Sequence, residues 1–261
     1  MGGPTFNDML RAIIQALVAT WRPCQPLLVT AAAIALAISA VFGLLAPGEV
    51  GEGLAGLPLM VLTLAVSSGV AGFLVSGDPA FTTLDGVFRH QRSYRFVFRY
   101  LLVSLGLTLP LVFMIPVLAA ASQGDAVGAG TALTAVALVL LVIYLAARLA
   151  IFPYTIFLRE PLGLGDSWRL TEGYVLRIVG CIALFAVGIL GFVTLATMVF
   201  GGLIRSLGSA TGMGGGGAAT MALQALGQIA AVYAIDCVYA TLTRMLASPA
   251  QRMALPRDEE A

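Results

Sequence analysis

The sequence contains no lysine, one histidine, three cysteines and two tryptophans, and only 10% of its residues are charged. Soluble globular domains carry about 25% charged residues. Here 59% of 261 residues are hydrophobic and the mean hydropathy is +0.98, so a water-soluble fold would have too little polar surface to cover its apolar mass. The class is integral membrane, all-α. The 14 basic residues, all arginine, stand against 13 acidic ones for a net charge of +1, so no bulk field draws nucleic acid. One histidine cannot build a multi-histidine metal site, and His90, between Arg89 and Arg92 and without an orienting carboxylate, reads as headgroup-facing rather than catalytic. Cys24, Cys181 and Cys237 have the spacing of neither a redox pair nor a zinc site and read as buried packing residues. No G-x-S-x-G elbow and no phosphate loop ending in Gly-Lys-Ser/Thr is present, and the glycine-rich stretch 208–217 reads as a flexible loop. The sequence therefore predicts no cofactor, no metal and no enzyme.

What the chain has in quantity is apolar length. Runs at 27–45, 54–76, 99–121, 131–157, 175–203 and 218–247 are near or above the roughly 20 residues that cross a bilayer. Six transmembrane helices are predicted, with Pro58, Pro110, Pro116 and Pro153 as candidate kinks. The first apolar run begins after Arg22 and is too long for a cleavable signal core, so it is expected to stay as a span. Arg11, Arg22, Arg89, Arg92, Arg95, Arg99, Arg159, Arg169, Arg177, Arg244, Arg252 and Arg257 fall on the face carrying both termini, and Arg205 alone falls on the other. The positive-inside rule makes that face cytoplasmic and the location a bacterial inner membrane. The outward loops 46–53, 122–130 and 204–217 are too short for a folded domain.

Each pair of spans is preceded by an amphipathic segment. Phe6, Met9, Leu10, Ile13, Ile14, Leu17 and Val18 share one helical face, Thr5 to Asp8 has capping-box spacing, and Pro23 with Pro26 is expected to stop this helix before the first span. Such a segment would lie in the headgroup plane. A second begins at Asp78-Pro79 with Phe81, Leu84 and Phe88, and a third at Glu160-Pro161 with Leu164 and Trp168. At a shift of 80 residues Leu84, Phe88, Arg89 and Tyr94 fall on Leu164, Trp168, Arg169 and Tyr174. The chain thus reads as one membrane domain, 1–261, of three pseudo-repeats at about 5–76, 78–157 and 160–247, with a short tail 248–261.

The stretch from Tyr144 to Gly180 carries Arg148, Pro153, Glu160, the run Ser167-Trp168-Arg169-Leu170-Thr171, Gly173 and Arg177, and Tyr239-Ala-Thr-Leu-Thr-Arg244 follows near the C-terminus. It resembles the membrane domain that accompanies glycerophosphodiester phosphodiesterases, and the related stand-alone six-span bacterial proteins. The resemblance implies a six-span fold. It does not imply phosphodiesterase activity, which in that family belongs to a soluble barrel whose acidic and histidine ligands no segment of this sequence supplies.

Two ionisable residues are placed within spans. Arg148 and Asp236 stand ten and eight residues from the inner ends of the fourth and sixth spans, depths of about 15 and 12 Å at 1.5 Å per residue. Unpaired charge there costs several kcal/mol, so an ion pair is expected, either a structural pin or, with Gln224 and Gln228, a midplane polar site. Arg89, Arg92, Arg95 and Arg99, interleaved with aromatics, form a basic belt, and together with Trp168, Arg169, Tyr174 and Arg177 are the candidate contacts to anionic lipid headgroups. The function expected is non-enzymatic: engaging membrane lipids or organising a membrane-protein partner. The alternatives are a transporter or lipid translocator, or an accessory subunit of a larger complex.

Overall fold

The computed structural model describes residues 4–45, 49–112, 129–211 and 216–247. Within them are eight α-helices: α1 Phe6–Leu45, α2 Glu49–Ser76, α3 Leu84–Arg89, α4 Gln91–Val112, α5 Ala129–Leu149, α6 Leu164–Leu170, α7 Val175–Thr211 and α8 Gly216–Leu246. Short 3-10 turns occupy Pro79–Thr82 and Tyr154–Phe157, and there is no strand among the described residues. Four segments are long and apolar enough to cross a membrane: Phe6–Phe42, Gly53–Ser76, Ala132–Phe157 and Thr220–Leu246. Helix α6 and the first part of α7 pass the same test of length and composition only when taken together, and their axes turn by 88°. Residues 113–121 of the expected third span with Pro116, the loop 122–128, and the tail with Arg252 and Arg257 lie outside the described residues.

Helices α1, α2 and α8 pack against one another around small residues, among them Ala31, Ala35, Ala71 and Ala240, all fully buried. Small side chains let helix backbones approach closely, which is how spans associate where lipid is as apolar as leucine. Gly77, at φ 75°, ends α2 in the left-handed region that glycine tolerates, and its N–H closes on the Phe73 carbonyl at 2.8 Å. A second apolar cluster joins Met9 and Ile13 to Ala147, Ile151, Ile178, Cys181 and Leu242.

This second cluster corrects the expected first surface helix. The Thr5–Asp8 box forms, with Thr5 N–H donating to Asp8 Oδ2 at 3.0 Å and Asp8 N–H to Thr5 Oγ1 at 3.3 Å. The helix does not stop at Pro23 and Pro26 but runs through both for 40 residues. Its apolar face is divided: Met9 and Ile13 are fully buried against protein, whereas Ile14 and Val18 are exposed. At 1.5 Å per residue α1 is about 60 Å long, twice the hydrocarbon thickness, and its start packs against protein through Met9 and Ile13. Each proline removes one intrahelical donor, a loss that packed neighbours absorb within a bundle.

The second surface segment is likewise folded inward. Asp78 accepts from Ala80 N–H at 2.9 Å and Thr83 Oγ1 from Gly86 N–H at 3.2 Å, so two caps start two short helices where one was expected. Phe81 is 1% exposed, against Phe157 at 5.2 Å, while Phe88 stays exposed. The glycine-rich loop is also shorter than read, since α7 continues to Thr211 and α8 begins at Gly216.

Candidate functional site

The polar centre of the protein is Asp236. It lies on the face of α8 that packs against α2 and the Tyr154–Phe157 turn, where its side chain is 2% exposed. Ser67 Oγ donates to Asp236 Oδ1 at 2.8 Å and the Tyr154 hydroxyl donates to the same oxygen at 2.6 Å, while Oδ2 has no hydrogen-bond partner among the described residues. Tyr154 is itself fixed by aromatic neighbours, with Phe96 at 5.4 Å and Tyr239 at 5.5 Å between ring centroids. Phe157 continues the stack to Phe81. The turn that presents Tyr154 exists because Pro153 ends the helical hydrogen bonding of α5 after Leu149.

That early stop separates the two residues expected to pair. Arg148 stands in the last turn of α5, not ten residues inside it, and faces α6. Its Nη1 donates to the Trp168 carbonyl at 2.9 Å and to Thr171 Oγ1 at 3.4 Å, and Nε donates to the Tyr144 hydroxyl at 3.1 Å. Its guanidinium also stacks 4.9 Å from the Trp168 ring and 5.5 Å from that of Tyr144. Arg148 thus ties the last turn of α6 to α5, and one carboxylate oxygen of Asp236 is held by two hydroxyls. The described residues contain no ion pair between them. Gln224 and Gln228 are exposed and face a groove of about 580 Å³ between α2 and α8, with Gly56, Thr63 and Val232, and Asp236 does not line that groove. Sequence reading missed Ser67 and Tyr154; the signal was a polar side chain at comparable depth in each neighbouring segment.

The arginine belt divides by partner. Arg89 pairs with Asp85 at 2.9 Å on the surface, worth at most about 1 kcal/mol at such exposure. Arg99 is turned inward: its Nη1 donates to Thr155 Oγ1 and the Leu162 carbonyl, each at 3.0 Å, and the guanidinium lies 4.6 Å from the Phe152 ring. It clasps the irregular segment 152–162, satisfying acceptors that no helix covers. Arg177 donates to the Pro4 carbonyl at 2.7 Å and lies over Tyr174 at 5.5 Å. Arg244 donates to the Leu74 carbonyl at 3.1 Å, in the last turn of α2, where a cation also meets the negative end of the helix dipole. Arg95 and Arg169 are exposed, Arg92 and Trp168 half-buried. His90 is half-buried, its ring 4.5 Å from that of Phe81 and its Nε2 3.8 Å from Asp78 Oδ2.

No group of three or more potential metal ligands occurs among the described residues. Compared with known proteins, the chain matches no family model, no curated protein and no solved structure.

Proposed function

We propose that this chain is a non-enzymatic, six-span protein of a bacterial inner membrane whose arginine-rich inner rim engages anionic lipid headgroups. The observation that carries the reading is the 88° turn between α6 and α7. A short helix at right angles to a span that crosses the bilayer would lie along the membrane surface, and this corner holds Trp168, Arg169, Tyr174 and Arg177. Aromatic and arginine side chains at that level are the usual anchors of a membrane interface. The arginine asymmetry of the loops and the resemblance to six-span bacterial membrane domains support the same orientation and location. A second reading, an accessory subunit of a larger membrane complex, is favoured by Gln224 and Gln228, two exposed amides that a partner helix would satisfy.

Melting in lipid discs tests the lipid reading. A ligand present at 100 times its Kd stabilises the folded state by about 2.7 kcal/mol. The protein in discs containing phosphatidylglycerol is therefore expected to melt several degrees above the protein in discs of phosphatidylcholine alone, with the difference shrinking as salt is raised. Equal melting temperatures would contradict the reading.

A further inference from the structure

We infer that the groove between α4 and the segment following the Tyr154–Phe157 turn binds one anionic phospholipid, its phosphate at Arg95 and Gln91 and one acyl chain along Tyr94, Phe98 and Leu105. The inference rests on the lipid-engaging reading above and gives it a site and an occupant. The groove encloses about 450 Å³ and is lined by Gln91, Tyr94, Arg95, Phe98, Arg99, Ile156 and Pro161, none of them acidic. Glu160, beside Pro161, is exposed, as is its neighbour Arg159.

Arg95 differs from the other belt arginines. It is exposed, makes no hydrogen bond or ion pair among the described residues, and sits close enough to Arg92 and Arg99 for the charges to repel. Arg99 is committed to the clasp of segment 152–162, and Arg89 to Asp85. Asp78 already acts on Arg92, so an anion at Arg95 chiefly offsets the repulsion between Arg95 and Arg99, and a guanidinium offers two parallel N–H donors suited to a phosphate.

The rest of the ligand follows from the same helix. Tyr94, Phe98 and Leu105 recur at helical spacing on one face of α4 and are 61%, 68% and 64% exposed. The stripe begins beside Arg95 and runs away from the charged end, so an amphiphile with one anionic head and an apolar chain matches it from end to end. On the far side of Tyr94 a pocket of about 180 Å³ between α2 and α4, lined by Leu64, Val97 and the buried Ser68 and Ser93, extends the apolar surface. The Ser68 and Ser93 hydroxyls there have no partner among the described residues.

The test is native mass spectrometry of the full-length chain in detergent, titrated separately with phosphatidylglycerol, phosphatidylcholine and inorganic phosphate. Wild type is expected to hold phosphatidylglycerol in preference to phosphatidylcholine, and Arg95→Ala to weaken it about fivefold, the factor that ~1 kcal/mol per interfacial arginine corresponds to. Arg95→Lys should keep most of the affinity. Arg95→Gln repeats the test without charge at similar length, should alanine disturb folding. Inorganic phosphate is not expected to displace the lipid, because it gains nothing from the apolar stripe; displacement at comparable concentration would overturn the phospholipid assignment in favour of a free-phosphate site. Unchanged phosphatidylglycerol binding in Arg95→Ala and Arg95→Gln would overturn the site while leaving the lipid reading in place. No lipid preference in wild type would overturn both.

Discussion

Asp236→Ala is expected to lower the stability of the folded protein by roughly 2–4 kcal/mol. The change removes the one acceptor shared by Ser67 and Tyr154 and leaves both hydroxyls buried, and an orphaned buried donor costs about 1–3 kcal/mol. Loss of the carboxyl oxygen that has no partner offsets part of this, which keeps the figure below a simple sum. Tyr154→Phe removes a single donor and should cost less. Combining Ser67→Ala, Tyr154→Phe and Asp236→Leu replaces donors and acceptor together and should recover most of the loss, since replacing all partners of a buried network by apolar groups is close to neutral. Arg148→Ala should add to Asp236→Ala within about 0.5 kcal/mol, because the two have separate partners. Reversible unfolding in detergent measures all of these. Recovery in the double variant, instead of addition, would mean that Arg148 and Asp236 do pair.

Phe81→Ala is expected to cost about 3–5 kcal/mol, the range for emptying a buried aromatic position. Its ring is 1% exposed and lies against Gly72, where an added Cβ would stand 2.5 Å from a ring carbon. Gly72→Leu should therefore expel the ring and destabilise by a comparable amount from the opposite side of the contact. Phe88→Ala, seven residues later at an exposed position of α3, should change stability by less than about 1 kcal/mol. The contrast separates two accounts of the segment 79–89. If it floated on lipid, Phe81 and Phe88 would respond alike in the same unfolding measurement.

The hydrophobic periodicity of Phe6 to Val18 was legible in the sequence, and so was the capping at Thr5, because both depend on neighbours a few residues away. The surface that the periodic face meets was not legible: Met9 and Ile13 read the same whether lipid or another helix covers them. Continuity through Pro23 and Pro26 was lost for a related reason, since a proline breaks an isolated helix but is tolerated in a packed one. The setting of Arg148 was not legible because the apolar composition continues to Phe157 after the α-helix has ended at Leu149. Asp236 was recognisable as a buried charge. Its partners were not, because Ser67 and Tyr154 are ordinary constituents of apolar spans until folding brings α2 and the turn after α5 to α8. The arginines follow the same pattern: their placement at one end was plain, whereas Arg99, Arg148, Arg177 and Arg244 reaching for backbone carbonyls follows only from where the helices stop.

The central claim, that the arginine rim engages anionic lipid, is tested most directly in the native membrane. The protein is extracted with its surrounding bilayer into polymer discs, and the lipids in those discs are quantified against the bulk membrane. Anionic phospholipid is expected to be enriched in the discs, with the enrichment reduced by Arg95→Ala and Arg169→Ala together. Discs whose lipid composition equals that of the bulk membrane would contradict the account.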